Sequence, residues 1–112
     1  MSDYKTLSSK TLHFALRVIR LNKFLTEEKH EHMISEQILK SATLIGTSAA
    51  KAFYKTDSPD FSESLQAIAE TEYWIKLLTI SEYIRESEGE SLLDDCSEIK
   101  EILLTESNKE KL

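Results

Sequence analysis

The chain has two glycines and one proline with which to turn. A sandwich or barrel built from short strands needs turn residues roughly every 8–12 positions. Over 112 residues that supply is too thin for an all-β fold, so the core has to come from a few long helices. Apolar residues make up 40% and charged residues 30%, a globular balance with a heavy charge load. A chain of this size forms one domain and buries about two-thirds of the surface that its unfolded form exposes.

Apolar spacing predicts four helices, at about residues 7–24, 27–54, 59–86 and 91–105, with a polar tail over 106–112 that frays. In the first, Leu12, Phe14, Ala15, Leu16, Val18, Ile19 and Leu21 cover more than half the circumference. A helix with one packing partner needs an apolar stripe only a little wider than about 100°. The surplus points to two neighbours or to a second subunit. Thr26 is placed to cap the second helix, with Glu27 and Glu28 in its first turn, where the helix dipole favours anions.

The second helix carries a run of small side chains. Ser41, Ala42, Leu44, Gly46, Ser48 and Ala49 form a candidate surface for close helix packing or for oligomer contact. Gly46 costs a helix about 1 kcal/mol relative to Ala, a cost that close backbone approach offsets. The break at 55–60 has Asp57 or Ser58 as cap and Pro59 at the first helical position. The third helix is apolar nearly all round, with Phe61, Leu65, Ile68 and Ile75 on one side, Ala69, Tyr73, Leu77, Ile80 and Ile84 on another and Trp74 and Leu78 on a third, as expected of a helix buried in an assembly. Gly89 closes the linker, and Asp94 and Asp95 fall in the first turn of the last helix. Short links favour antiparallel neighbours, so the expected fold is an all-α, up-down-up-down four-helix bundle.

Few residues invite a chemical reading. Cys96 is the only cysteine, which excludes an internal disulfide and a cysteine-built zinc site. Its acidic neighbours Asp94, Asp95 and Glu98 oppose thiolate formation. His30 and His32 are two residues apart and diverge on a helix, so they do not share a metal. Glu70 and Glu72 diverge in the same way. Glu72 falls on the apolar stripe, where an inward carboxylate needs a cation, and Lys40 or Arg17 is the candidate partner for a buried ion pair. No phosphate-binding glycine loop, nucleophile elbow or metal spacing is present, so no catalytic residue, metal site or cofactor is expected. No apolar run is long enough to span a membrane, and a reducing cytoplasmic setting is expected.

Charge is unevenly distributed. Residues 1–56 hold nine Lys/Arg against five Asp/Glu, a net of +4, and residues 57–112 hold five against fifteen, a net of -10. Lys10, Arg17, Arg20, Lys40, Lys51 and Lys55 make up the candidate basic set. Three uses are open to it: pairing with the acidic half within or between subunits, nucleic-acid binding, or another acidic partner.

Three strings stand in order: Phe14 to Leu21 (FALRVIRL), Glu36 to Gly46 (EQILKSATLIG) and Glu70 to Leu78 (ETEYWIKLL). Together they resemble the four helix bundle protein family, which includes proteins encoded by intervening sequences in bacterial large-subunit rRNA genes and accessory variability proteins of diversity-generating retroelements. The resemblance implies an antiparallel bundle that assembles as a homopentamer, the chain being its own partner. In the retroelement members it further implies association with nucleic acid and a reverse transcriptase. The chain carries Lys40 where the family has Arg, and Ser48 and Lys51 where it commonly has Asn and an acid. The expected function is a non-enzymatic interaction or scaffold module, with a nucleic-acid-binding accessory factor as the alternative.

Overall fold

The structure, a computed structural model, describes residues 2–54 and 59–109, with side chains described over 4–54 and 59–107. Four helices account for nearly all of it: α1 (Ser2–Glu27), α2 (Met33–Tyr54), α3 (Ser62–Ile80) and α4 (Glu86–Lys109). They lie side by side in a rod of 46 × 21 × 20 Å. Each helix packs on its two neighbours in a square, α1 against α2 and α4, α3 against α2 and α4.

Side-chain pairs fix the directions. Thr11 meets Gly46 and Asn22 meets Ser35, so α2 runs back as α1 runs forward. Ser48 meets Ser64 and Ser41 meets Thr71, seven positions forward for seven back. Thr79 meets Gly89 in α3 and α4, and Lys10 and Arg17 meet Glu98 and Ser91 in α1 and α4. All four neighbouring pairs are therefore antiparallel.

The interior is a continuous apolar column that includes Phe14, Val18, Leu25, Ile38, Ile45, Ile68, Ile75, Leu78, Leu92, Cys96, Ile99 and Leu103. Full burial of one such side chain contributes about 1.5–3 kcal/mol. The small stretch of α2 is used inside the chain. Ser41 and Ser48 bond the Thr71 and Ser64 hydroxyls at 2.8 and 2.7 Å, Ala42 and Ala49 are buried, and Leu44 is half-buried. A Cβ on Gly46 would stand 3.2 Å from Thr11 Cβ, so the glycine lets α1 and α2 approach closely.

Boundaries differ from the sequence expectation at both turns of one end. Thr26 does not cap α2: its hydroxyl donates to the Asn22 carbonyl at 2.9 Å and stays within α1. The start of α2 is held instead by Glu31, whose buried carboxylate accepts the backbone N–H of Met33, Ile34 and Ser35 at 3.1, 2.9 and 2.8 Å. Glu is not a favoured cap, and its longer side chain reaches the orphan donors only by folding back. His30 and His32 lie in this turn rather than on a helix.

α3 stops at Ile80, short of the expected 86, with the Glu82 and Tyr83 N–H groups bonded back to Thr79 O and Leu78 O at 3.1 and 3.0 Å. That is a Schellman closure with Glu82 (φ 65°) where glycine usually sits. Gly89 is not in the linker but buried inside α4, where a Cβ would collide with the Thr79 hydroxyl. The acids of the first turn of α4 are accordingly Glu86 and Glu88, not Asp94 and Asp95. Pro59 precedes α3 and is not its first residue, and Asp60 Oδ1 accepts the Ser62 N–H at 3.0 Å. The proposed caps Asp57 and Ser58 lie outside the described residues. α4 stays helical to Lys109, past the expected end at 105.

Candidate functional site

The two ends of the rod are built differently. At one, Tyr4, Phe53 and Phe61 stack in a tilted row, with ring centroids 4.3 and 5.2 Å apart. At the other, the α1–α2 and α3–α4 turns flank an open cleft of about 740 Å³ between the last turns of α1 and the start of α4. Buried Leu21 and Ile84 line the cleft, with Phe24 contributed by α1 and Tyr83 by the α3–α4 turn.

Arg17 anchors the lower wall. Its guanidinium donates to Asp95 at 2.7 Å, to the Ser91 hydroxyl at 3.1 Å and to Glu88 at 3.3 Å, tying α1 to α4. A two-carboxylate clamp on a partly shielded arginine is worth more than a fully exposed pair. Lys10 bonds Glu98 at 3.0 Å further down the same seam, with both side chains near half exposure, so that pair contributes at most about 1 kcal/mol. The charge split of the sequence is thus partly resolved within the chain, basic α1 against acidic α4.

The six basic candidates do not form one face. Lys10 and Arg17 are engaged in the α1–α4 seam, and Arg20 lines the cleft. Lys40 and Lys51 stand exposed on α2, and Lys55 lies outside the described residues. The expected Glu72–Lys40 ion pair is not formed. Lys40 points to solvent, while half-buried Glu72 is on the α4-facing side of α3, close enough to act on Cys96. Arg17, the other candidate partner of Glu72, is taken by Asp95 and Glu88.

Cys96 is fully buried, and its thiol is pushed up to about 12 by burial first, then by the charges of Glu72 and Asp95. It remains a neutral thiol at physiological pH and is not poised as a nucleophile. Among the described residues, no group of three or more His, Cys, Asp or Glu could hold a metal ion, and no helix is long and apolar enough to cross a membrane.

Leu12, Leu16 and Ile19 form a continuous apolar stripe on the outside of α1, exposed by 69, 43 and 44%. On α3, Tyr73 and Ile80, two turns apart on one side of the helix, are exposed by 62 and 79%. The buried Trp74 indole N–H beside Tyr73 has no hydrogen-bond partner within the described chain. Because α1 and α3 occupy diagonal corners of the square, these stripes face opposite ways. Sequence reasoning found the α1 surplus from its over-wide apolar arc. It missed Glu31, Glu82 and the cleft: no local pattern marks a glutamate cap, and the cleft joins segments about 60 residues apart.

A profile of the family described as 23S rRNA-intervening sequence protein matches residues 6–105. The crystal structure of a protein of unknown function from the S23 ribosomal protein family of Bacteroides thetaiotaomicron is 36% identical in sequence. That match covers 92% of this chain and 96% of that chain, with a TM-score of 0.87. No curated protein of matching sequence is found.

Proposed function

Starting from the fact that the chain belongs to the 23S rRNA-intervening sequence protein family, we propose that it works as a homo-oligomeric helical-bundle interaction module with no catalytic activity of its own. The observation that carries this reading is the pair of unlike apolar stripes, Leu12/Leu16/Ile19 and Tyr73/Ile80, on opposite corners of one subunit. A stripe of that kind on a small monomer is usually covered by a partner. Two different stripes facing opposite ways favour a head-to-tail contact, which closes into a ring when the rotation allows. Five subunits is the number that the family resemblance implies. The lone buried thiol fits a reducing, cytoplasmic setting.

Light scattering tests the proposal. The wild-type protein should scatter as a multiple of the 12.9 kDa chain at micromolar concentration. Leu16→Glu and Ile19→Glu should drive it to monomer with the helical content intact. A monomeric wild type overturns the reading. The second reading, a nucleic-acid-binding accessory factor to a reverse transcriptase, rests on Arg20, Lys40 and Lys51, which have no ion pair among the described residues. It requires RNA or DNA affinity that falls steeply with salt and with Lys40→Glu.

A further inference from the structure

The cleft between the two turns has the size of a ligand site, about 740 Å³ against a usual range of about 300–1,000 Å³. Its charges sort into spent and free. Arg17 and Glu88 are occupied with each other, and Arg17 also with Asp95, so they build the wall rather than receive a ligand. Arg20, Lys29 and Arg85 line the same cleft with no carboxylate within ion-pair distance among the described residues. Arg20 comes from α1 and Arg85 from the α3–α4 turn, so two guanidinium forks approach the space from different walls. Such forks match the oxygens of a phosphate or carboxylate in bidentate fashion.

The other lining groups narrow the class. Phe24 is exposed on one wall with Lys29 Nζ 5.7 Å from its ring centroid, and Tyr83 stands on the other wall. Two aromatic side chains offer faces to a flat ring. Glu82 and Glu86 are exposed carboxylates with no ion pair among the described residues. They oppose a bare polyanion and favour a ligand that brings hydrogen-bond donors of its own. Glu82 also holds a left-handed backbone conformation that a glycine would adopt at less cost. A costly side chain at the lip of a cleft is one of the places where function accounts for strain.

We propose that this cleft binds a nucleoside monophosphate. Arg20 and Arg85 take the phosphate, Phe24 and Tyr83 take the base, and Glu82 and Glu86 accept from hydroxyl or amino groups. The same chemistry is presented by a free nucleotide or by the phosphorylated end of an RNA strand. The site lies within one chain, so it stands or falls independently of the oligomeric state.

Titration calorimetry with adenosine monophosphate, inorganic phosphate and a short single-stranded RNA bearing a 5′-phosphate tests the proposal. The nucleotide should bind with a Kd below about 1 mM and phosphate alone at least about tenfold more weakly. Arg20→Gln and Arg85→Gln should each weaken nucleotide binding about tenfold or more, the equivalent of one lost charge-assisted hydrogen bond. Phe24→Ala should weaken the nucleotide and leave phosphate unchanged. Lys76→Ala and Lys100→Ala, exposed on α3 and α4 and outside the cleft lining, are controls that should leave nucleotide binding unchanged. RNA that displaces the nucleotide and depends on Arg20 identifies the strand end as the source, and RNA that does not displace it identifies the free nucleotide. Absence of nucleotide binding overturns the proposal, as does binding indifferent to both arginines or equally sensitive to Lys76. Phosphate binding as tight as the nucleotide leaves an adventitious ion only, and also overturns it. Both arginines are exposed and have no ion pair among the described residues, so thermal melts matched to the wild type separate loss of binding from loss of fold.

Discussion

The two ends of this bundle solve the problem of helix termination by opposite means. At the end formed by Tyr4, Phe53 and Phe61, aromatic rings fill the space between helices, and a void of about 20 Å³ beside Tyr4 and Gly46 is no larger than one water requires. At the other end α2 starts only at Met33 and α3 stops at Ile80, the turns are held by backbone and carboxylate hydrogen bonds, and a space some forty times larger stays open. Burial of apolar area stabilises the first end. Polar geometry shapes the second, and it does so at a stability disadvantage, with non-glycine residues His30 and Glu82 in left-handed conformations. The difference teaches that one pole of the rod uses its side chains to fill space and the other uses them to hold a cleft open.

Substitutions at the two ends test that contrast. Phe61→Ala should cost about 3–5 kcal/mol in urea unfolding, because a fully buried ring is removed from a filled site. If it costs less than the cleft variants below, the contrast fails. Glu31→Ala should cost about 1–2 kcal/mol, since three N–H groups at the start of α2 lose their acceptor. Glu82→Gly should instead stabilise the protein by about 1 kcal/mol, relieving the left-handed glutamate. A double-mutant cycle of Arg17→Met with Asp95→Asn should show a coupling of about 1 kcal/mol that shrinks in high salt.

The last test concerns Cys96 and alkaline pH, and at neutral pH it changes nothing. Its thiol titrates near the ordinary 9.0 when unfolded and near 12 in the native protein. The native state therefore holds a proton that the unfolded chain releases between those values. The stability this group contributes is fully present below pH 9 and is lost as pH rises toward 12. Replacing Cys96 by Ser should flatten that alkaline fall. Native protein should also resist thiol reagents near neutral pH until it is unfolded by urea.

Much of the architecture was legible in the residues. Scarce turn residues required long helices, the apolar arcs placed four of them, and the small run around Gly46 marked a close approach that Thr11 fills. The α1 stripe of Leu12, Leu16 and Ile19 was visible as an apolar arc wider than one partner needs. The turns were less legible. Gly89 and Thr26 carry the usual local signals of a linker and a cap, yet Gly89 is a packing residue and Thr26 bonds back along its own helix. Charge behaved likewise: the sequence showed a basic half and an acidic half, but not that Arg17 would take Asp95 and leave Glu72 without Lys40.

The sequence by itself determined the fold class, the number of helices and the core faces, because apolar periodicity along a helix is a local property that burial reads directly. Only the tertiary structure decided where the helices stop, which charges pair and where space is left open. Those outcomes depend on antiparallel register, which brings Thr79 to Gly89 and Arg17 to Ser91 across long stretches of chain. Whether a given glycine turns the chain or packs it, and whether a given arginine is free or bound, is settled by the neighbour that arrives from the other helix.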